Sequence, residues 1–178
     1  MRKQLTDDIV RQFKNPHFWP NDCCMCVFKF FGMAEEPLKE FIKYGVSGMP
    51  PADLRNVFEV NYPEYKHTLT DYGANIKRLF NTIPPGHGAI GAYHRQAPLL
   101  GHCVVFARYD DDRKVILDVQ MGRSYIGDNE IKEWLSSQKP TKIYVLDSFA
   151  RKGGDLGTLS LFTSGIGKSV ESELWIPP

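Results

Sequence analysis

A chain of 178 residues, 42% hydrophobic and 24% charged, has the length and apolar content of one domain with a true core. Its formal net charge of +1 gives no electrostatic ground for a nucleic-acid or anionic-membrane partner. No apolar run approaches the roughly 20 residues that span a bilayer. The opening MRKQLTDDIVRQF lacks the apolar core of a signal peptide, and Asp7 and Asp8 argue against a transit peptide. The expected place of work is a cytosol, either that of the cell of origin or one reached without a cleaved N-terminal signal.

In chain order, residues 5–14 are predicted to form a short helix with Thr6 as its N-cap. Asn15, Pro16, Trp19, Pro20 and Asn21 then break the chain. The stretch CCMCVFKFF that follows is apolar except for Lys29, so it belongs in the interior. Asn21 and Asp22 supply capping oxygens just ahead of it, which predicts a buried helix beginning near Cys23 and ending at Gly32. Residues 35–44, 51–59 and 71–82 are further helix candidates, the last on the spacing of Ile76, Leu79 and Phe80. Pro84, Pro85 and Gly86 stop it.

Beyond that point the pattern turns strand-like, over 89–94, 101–109, 114–120 and 142–149, with a helix over 128–137 between the last two. Helices first and an antiparallel sheet second predict an α+β fold. Residues 1–150 are expected to form the single domain. Residues 151–178 form a Gly- and Ser-rich tail, ordered in part or packed on that domain.

The 4 cysteines are Cys23, Cys24, Cys26 and Cys103, three of them crowded together, which is not a spaced disulfide framework. Cys23 stands where a chain break ends and a buried helix starts, a position that lowers a thiol's pKa. His102 follows Gly101 and opens an apolar strand, so its imidazole is placed to serve as a base. Asp118, in the next strand, can orient that imidazole and stabilise its charge. Strand parity tests the pairing. If Asp110, Asp111 and Asp112 form a three-residue hairpin loop, Tyr109 pairs with Arg113. His102 then faces Gln120, with Asp118 its diagonal neighbour on the same face. A two-residue loop would destroy this arrangement. Gln120 is left to hold either the ring or a substrate.

The same residues have plainer uses. Cys24, Cys103 and Cys26 read as small buried hydrophobes, Cys26 with a regulatory or helper role as its alternative. Zinc held by Cys23, Cys26, His102 and Cys103 is disfavoured, because adjacent strand residues project to opposite faces. No metal and no cofactor is expected. His17, His67, His87 and His94 read as surface residues or as supports behind a site, and the three acids as a solvated hairpin tip.

The run Asn21-Asp22-Cys23-Cys24-Met25-Cys26-Val27 resembles the Asn-Cys-x-x-Cys signature of the papain-like toxin family, with Asp22 standing where that family commonly has Asn. Gly101-His102 followed by Leu117-Asp118-Val119-Gln120-Met121-Gly122 resembles its Gly-His … Asp-x-Gln-x-Gly block. The stretch VILDVQMGRSYIGDNE is similar to the corresponding part of OspI-type bacterial effectors, protein glutamine deamidases injected into host cells. The likeness covers roughly residues 21–32 and 99–147. It implies a papain-like fold, in which a cysteine-bearing helix packs on a sheet carrying the His and the Asp.

It also implies a Cys23–His102–Asp118 thioester mechanism converting Gln to Glu on a partner protein. The expected oxyanion donors are the Cys23 N–H with Asn21 or Asn15. The implied partners are a protein presenting a glutamine side chain and a cognate inhibitor or immunity protein. A papain-like cysteine protease or isopeptidase would use the same acyl chemistry with a different leaving group. A non-catalytic metal, redox or binding module would use none of it.

Overall fold

The apolar runs in the second half of the chain become strands buried on both faces, which is why they read as continuous rather than alternating. The structure is a computed structural model and describes residues 2–14, 22–30, 51–61, 68–97, 101–109 and 111–146. The helix expected over 35–44, the tail 151–178, and Asn15, Asn21, His17, His67 and Asp110 lie outside the described residues. The fold is α+β. Helices α1 (Arg2–Arg11), α2 (Cys23–Phe30) and α3 (Pro51–Asn61) come first, then β1 (Leu69–Asp71) and α4 (Ile76–Thr82). There follow β2 (Gly88–Arg95), β3 (His102–Arg108), β4 (Lys114–Asp118), β5 (Arg123–Ile126), α5 (Gly127–Gln138) and β6 (Pro140–Leu146).

The strands form one 6-stranded sheet in the order β1-β6-β2-β3-β4-β5, every pair antiparallel. Side-chain parity splits the core in two. Cys103, Val105, Ala107, Val115 and Leu117 face one side, where Ile9 and Val10 of α1, Cys24, Cys26 and Val27 of α2 and Leu54 of α3 cover them. Val104, Phe106 and Ile116 face the other side, under Leu79 and Phe80 of α4 and Ile131 and Trp134 of α5. On that second side Gly91 lets the Phe106 ring lie against the backbone, since a Cβ there would sit 2.1 Å from the ring. Phe106 in turn meets Phe80 and Trp134 edge to face, at 5.9 Å each.

The N-terminal helix closes the β5 edge of the sheet. The Asp7 carboxylate accepts the Ser124 N–H at 2.6 Å and the Ser124 hydroxyl at 2.5 Å, while Lys3 donates to the Ser124 carbonyl. The edge strand's own donor and acceptor are thus satisfied by a helix instead of another strand.

Several elements differ from expectation. Helix α1 starts at Arg2, so Thr6 lies inside it and is no cap; its buried hydroxyl meets the Tyr109 hydroxyl at 2.7 Å. The helix expected from residue 71 begins at Ile76. Asp71 ends β1, Gly73 turns the chain at φ +58, and Asn75 caps α4 by accepting the Arg78 N–H at 3.0 Å. Strand β4 stops at Asp118, and Val119 and Gln120 enter a turn. Among the described residues, no helix is long and apolar enough to cross a membrane.

Candidate active site

The β3–β4 hairpin has the register that a three-residue loop requires. Val105 pairs with Leu117 and Arg108 with Lys114, and the Tyr109 N–H donates to the Arg113 carbonyl at 2.8 Å. His102 therefore opens one strand and Asp118 closes its neighbour at the same end of the hairpin. His102 Nε2 lies 2.9 Å from Asp118 Oδ2, and both side chains are buried. The other carboxylate oxygen, Oδ1, accepts the Met121 N–H at 3.1 Å. The carboxylate is thus held from its own turn while it holds the ring.

Tyr93 pairs directly with His102 on β2 and stands edge-on to the imidazole, with centroids 5.8 Å apart at 89°. Trp134 backs Tyr93 at 5.1 Å, and the Tyr93 hydroxyl donates to Gln138 Oε1 at 2.8 Å. These aromatic rings wall the ion pair from water. Strand alternation puts Tyr93 on the His102 face, but only the β2–β3 pairing reveals that the two are neighbours.

Cys23 is the first residue of α2, whose opening turn is closed by the Cys26 N–H donating to the Asp22 carbonyl at 3.0 Å. Its thiol lies within electrostatic reach of His102 and of Cys24, and Cys24 within that of Cys103. Because Nε2 serves Asp118, Nδ1 is the ring nitrogen left for the thiol, the reverse of the order in a Ser-His-Asp triad. The body of α2 packs with Cys103, on the sheet face opposite Tyr93 and Val104.

The electrostatics of the pair come from burial and close partners. Burial opposes a charged imidazole, but hydrogen bonds to Asp118 and Cys23, with the charge of each, outweigh it and raise His102 from 6.5 to about 10. The Cys23 thiol is pushed well above its ordinary value by the contact with Cys24 and by burial, against the downward pull of His102. The lowered thiol expected from a helix start is therefore overridden. Burial, then the Asp118 charge, also raises the Tyr93 hydroxyl.

Cys23, His102 and Asp118 supply three parts that acyl transfer through sulfur requires: a thiol, an imidazole within its electrostatic reach and a carboxylate fixing the imidazole. Gln120 is drawn elsewhere. It lies beyond the last rung of β4 and donates from Nε2 to Asp22 Oδ1 at 2.6 Å, a contact between distant segments that no local pattern announces. Among the described residues, no group of three or more His, Cys, Asp or Glu is arranged to hold a metal ion. All four cysteines are free and buried. No protein-family model matches the chain, and no curated protein matches it.

Proposed function

We propose that this chain is a papain-like, cysteine-dependent amidohydrolase, and specifically a protein glutamine deamidase. The observation that carries the reading is His102 held by a buried Asp118 at 2.9 Å, with Cys23 at a helix start close enough to act on the imidazole. The deamidase reaction itself rests on the likeness of the segments around Cys23, His102 and Asp118 to the papain-like toxin family.

In the reactive form thiol and imidazole share a single proton, and its transfer to His102 leaves a thiolate that Asp118 stabilises through the imidazolium. The thiolate adds to the carboxamide carbon of a glutamine side chain. The Cys23 N–H, free of intrahelical partners as the first residue of a helix, is the candidate donor to the developing oxyanion. His102 returns its proton to nitrogen, the C–N bond breaks and ammonia leaves. Water activated by the same imidazole hydrolyses the thioester, giving glutamate and the free thiol.

The partner is a folded protein that presents a glutamine side chain, met in a cytosol, and a cognate inhibitor protein is expected to cover the same site. Replacing a neutral amide with an anion at an interface costs several kcal/mol when the new charge is buried unpaired, which is enough to disable a partner. The test incubates the protein or Cys23→Ser with cell extract, followed by fragment mass spectrometry. The expected product is an uncleaved protein about one dalton heavier at a glutamine, with ammonia released, only with Cys23 present. New peptide termini that depend on Cys23, without Gln-to-Glu conversion, would replace this reading with a thiol protease.

A further inference from the structure

The nucleophile and its base come from distant parts of the chain, on opposite faces of the sheet. Their separation must nevertheless be held closely, since a misplacement of about 1 Å in a reacting pair can cost about 100-fold in rate. One short turn reaches both. At its start Asp118 holds the imidazole through Oδ2 and is itself held through Oδ1 by the Met121 N–H. Two residues later Gln120 crosses to the other partner and donates to the Asp22 carboxylate at 2.6 Å, spanning 98 positions of sequence.

Asp22 is the residue before Cys23, and its carbonyl closes the first turn of α2. Gln120 and Asp22 are 5% and 4% exposed, so their bond is shielded from competing water. A carboxylate acceptor also makes it one of the stronger kinds of hydrogen bond. Gly122 secures the turn behind them. It adopts φ +67, and a Cβ there would lie 2.8 Å from Arg11 of α1.

We infer that Gln120 is a positioning residue: through Asp22 it fixes the start of α2 and so registers the Cys23 thiol against His102. The inference rests on Cys23 being the nucleophile. It gives the Asp118–Gln120 pair a joint logic, with Asp118 positioning the base and Gln120 positioning the thiol from the same turn. It also gives Asp22 a purpose as an acceptor that matches the donor opposite it.

The test reads the Cys23–His102 contact directly, by the rate of Cys23 alkylation with iodoacetamide across pH, mapped to the modified peptide. His102→Ala defines the profile of the isolated thiol. Gln120→Glu sets two carboxylates against each other, and Gln120→Met removes the bond without adding charge. Each is expected to slow alkylation near neutral pH by about tenfold or more and to move the profile onto that of His102→Ala. The double variant Gln120→Glu with Asp22→Asn exchanges donor and acceptor, and is expected to return the profile to wild type.

A folded Gln120→Met protein with the wild-type profile overturns the inference. So does a folded double variant that remains as slow as Gln120→Glu, because a merely structural defect gains nothing from the exchange. The readout needs no substrate. A protein that alkylates as expected but deamidates nothing overturns the proposed reaction and leaves the positioning role standing. A deamidase with an unmoved Gln120→Met profile does the reverse.

Discussion

The β3–β4 hairpin carries an ion pair at each end, and the two have nearly the same length. At the tip, Arg113 Nη2 lies 2.8 Å from Asp111 Oδ2, with the two side chains 47% and 39% exposed. At the base, His102 Nε2 lies 2.9 Å from Asp118 Oδ2, with 7% and 4% exposed. Distance does not distinguish them; solvent does. At the tip, water and salt compete for both charges, and the pair contributes little. At the base, each charge depends on the other, because an unpaired buried ion is costly. The hairpin can therefore vary its tip freely, while its base is committed.

The largest expected effect follows from breaking the buried pair. Asp118→Ala leaves His102 without its carboxylate and is expected to destabilise the protein by about 3–5 kcal/mol, read as a shift of the urea midpoint. A loss below about 1 kcal/mol would mean that the base of the hairpin behaves like the tip. His102→Ala, which removes both base and acid, is expected to abolish the proposed turnover.

The next effect concerns pH. His102 has a folded-state value of about 10, above its ordinary 6.5. The stability this shift confers is therefore full below pH 6.5 and is lost as the pH rises through about 10. Asp118→Asn removes the carboxylate charge and is expected to flatten that decline. Thermal unfolding followed across this range would show an unchanged slope if Asp118 were not the cause.

A smaller effect sits beside the pair. Contact with Cys24 is the foremost influence raising the Cys23 thiol. Cys24→Ala is expected to speed Cys23 alkylation near neutral pH, by about tenfold for each unit the thiol descends. Slower labelling in that variant would show that Cys24 instead helps to form the thiolate. Least affected is the tip: Arg113→Ala or Asp111→Ala is expected to change stability by less than about 0.5 kcal/mol in the same urea measurement.

What the sequence made legible depended on short-range rules. The odd loop between Tyr109 and Arg113, with the period of two along each strand, was enough to bring His102 and Asp118 to one face. The break before Cys23 and the apolar run after it were enough to start α2 at the right residue. Elements that draw their stability from remote partners were not legible. Strand β1 has 3 residues and β5 has 4, and each exists because a neighbour in the sheet supplies its hydrogen bonds. The alternation rule extended β4 to Gln120, but the turn begins after Asp118, which frees the Gln120 side chain to cross to Asp22. The upward shift of the thiol depends on Cys24 and on burial, and the helix-start argument contains neither.

The clasp of Asp7 on Ser124 has a consequence in time as well as in space. Its partners are separated by 117 positions, among the longest loops the described chain closes. A new polypeptide emerges at about 5–20 residues per second, so the first helix waits on the order of ten seconds before the strand that receives it has been made. Until then the apolar side of that helix, with Ile9 and Val10, has no sheet to cover. Helix α1 is thus made well before the strand it docks on, and the exposed interval invites chaperone binding. A circular permutant that opens the chain elsewhere and joins α1 closer to β5 would shorten that wait, and is expected to refold faster by stopped-flow fluorescence while keeping the same hydrogen bonds.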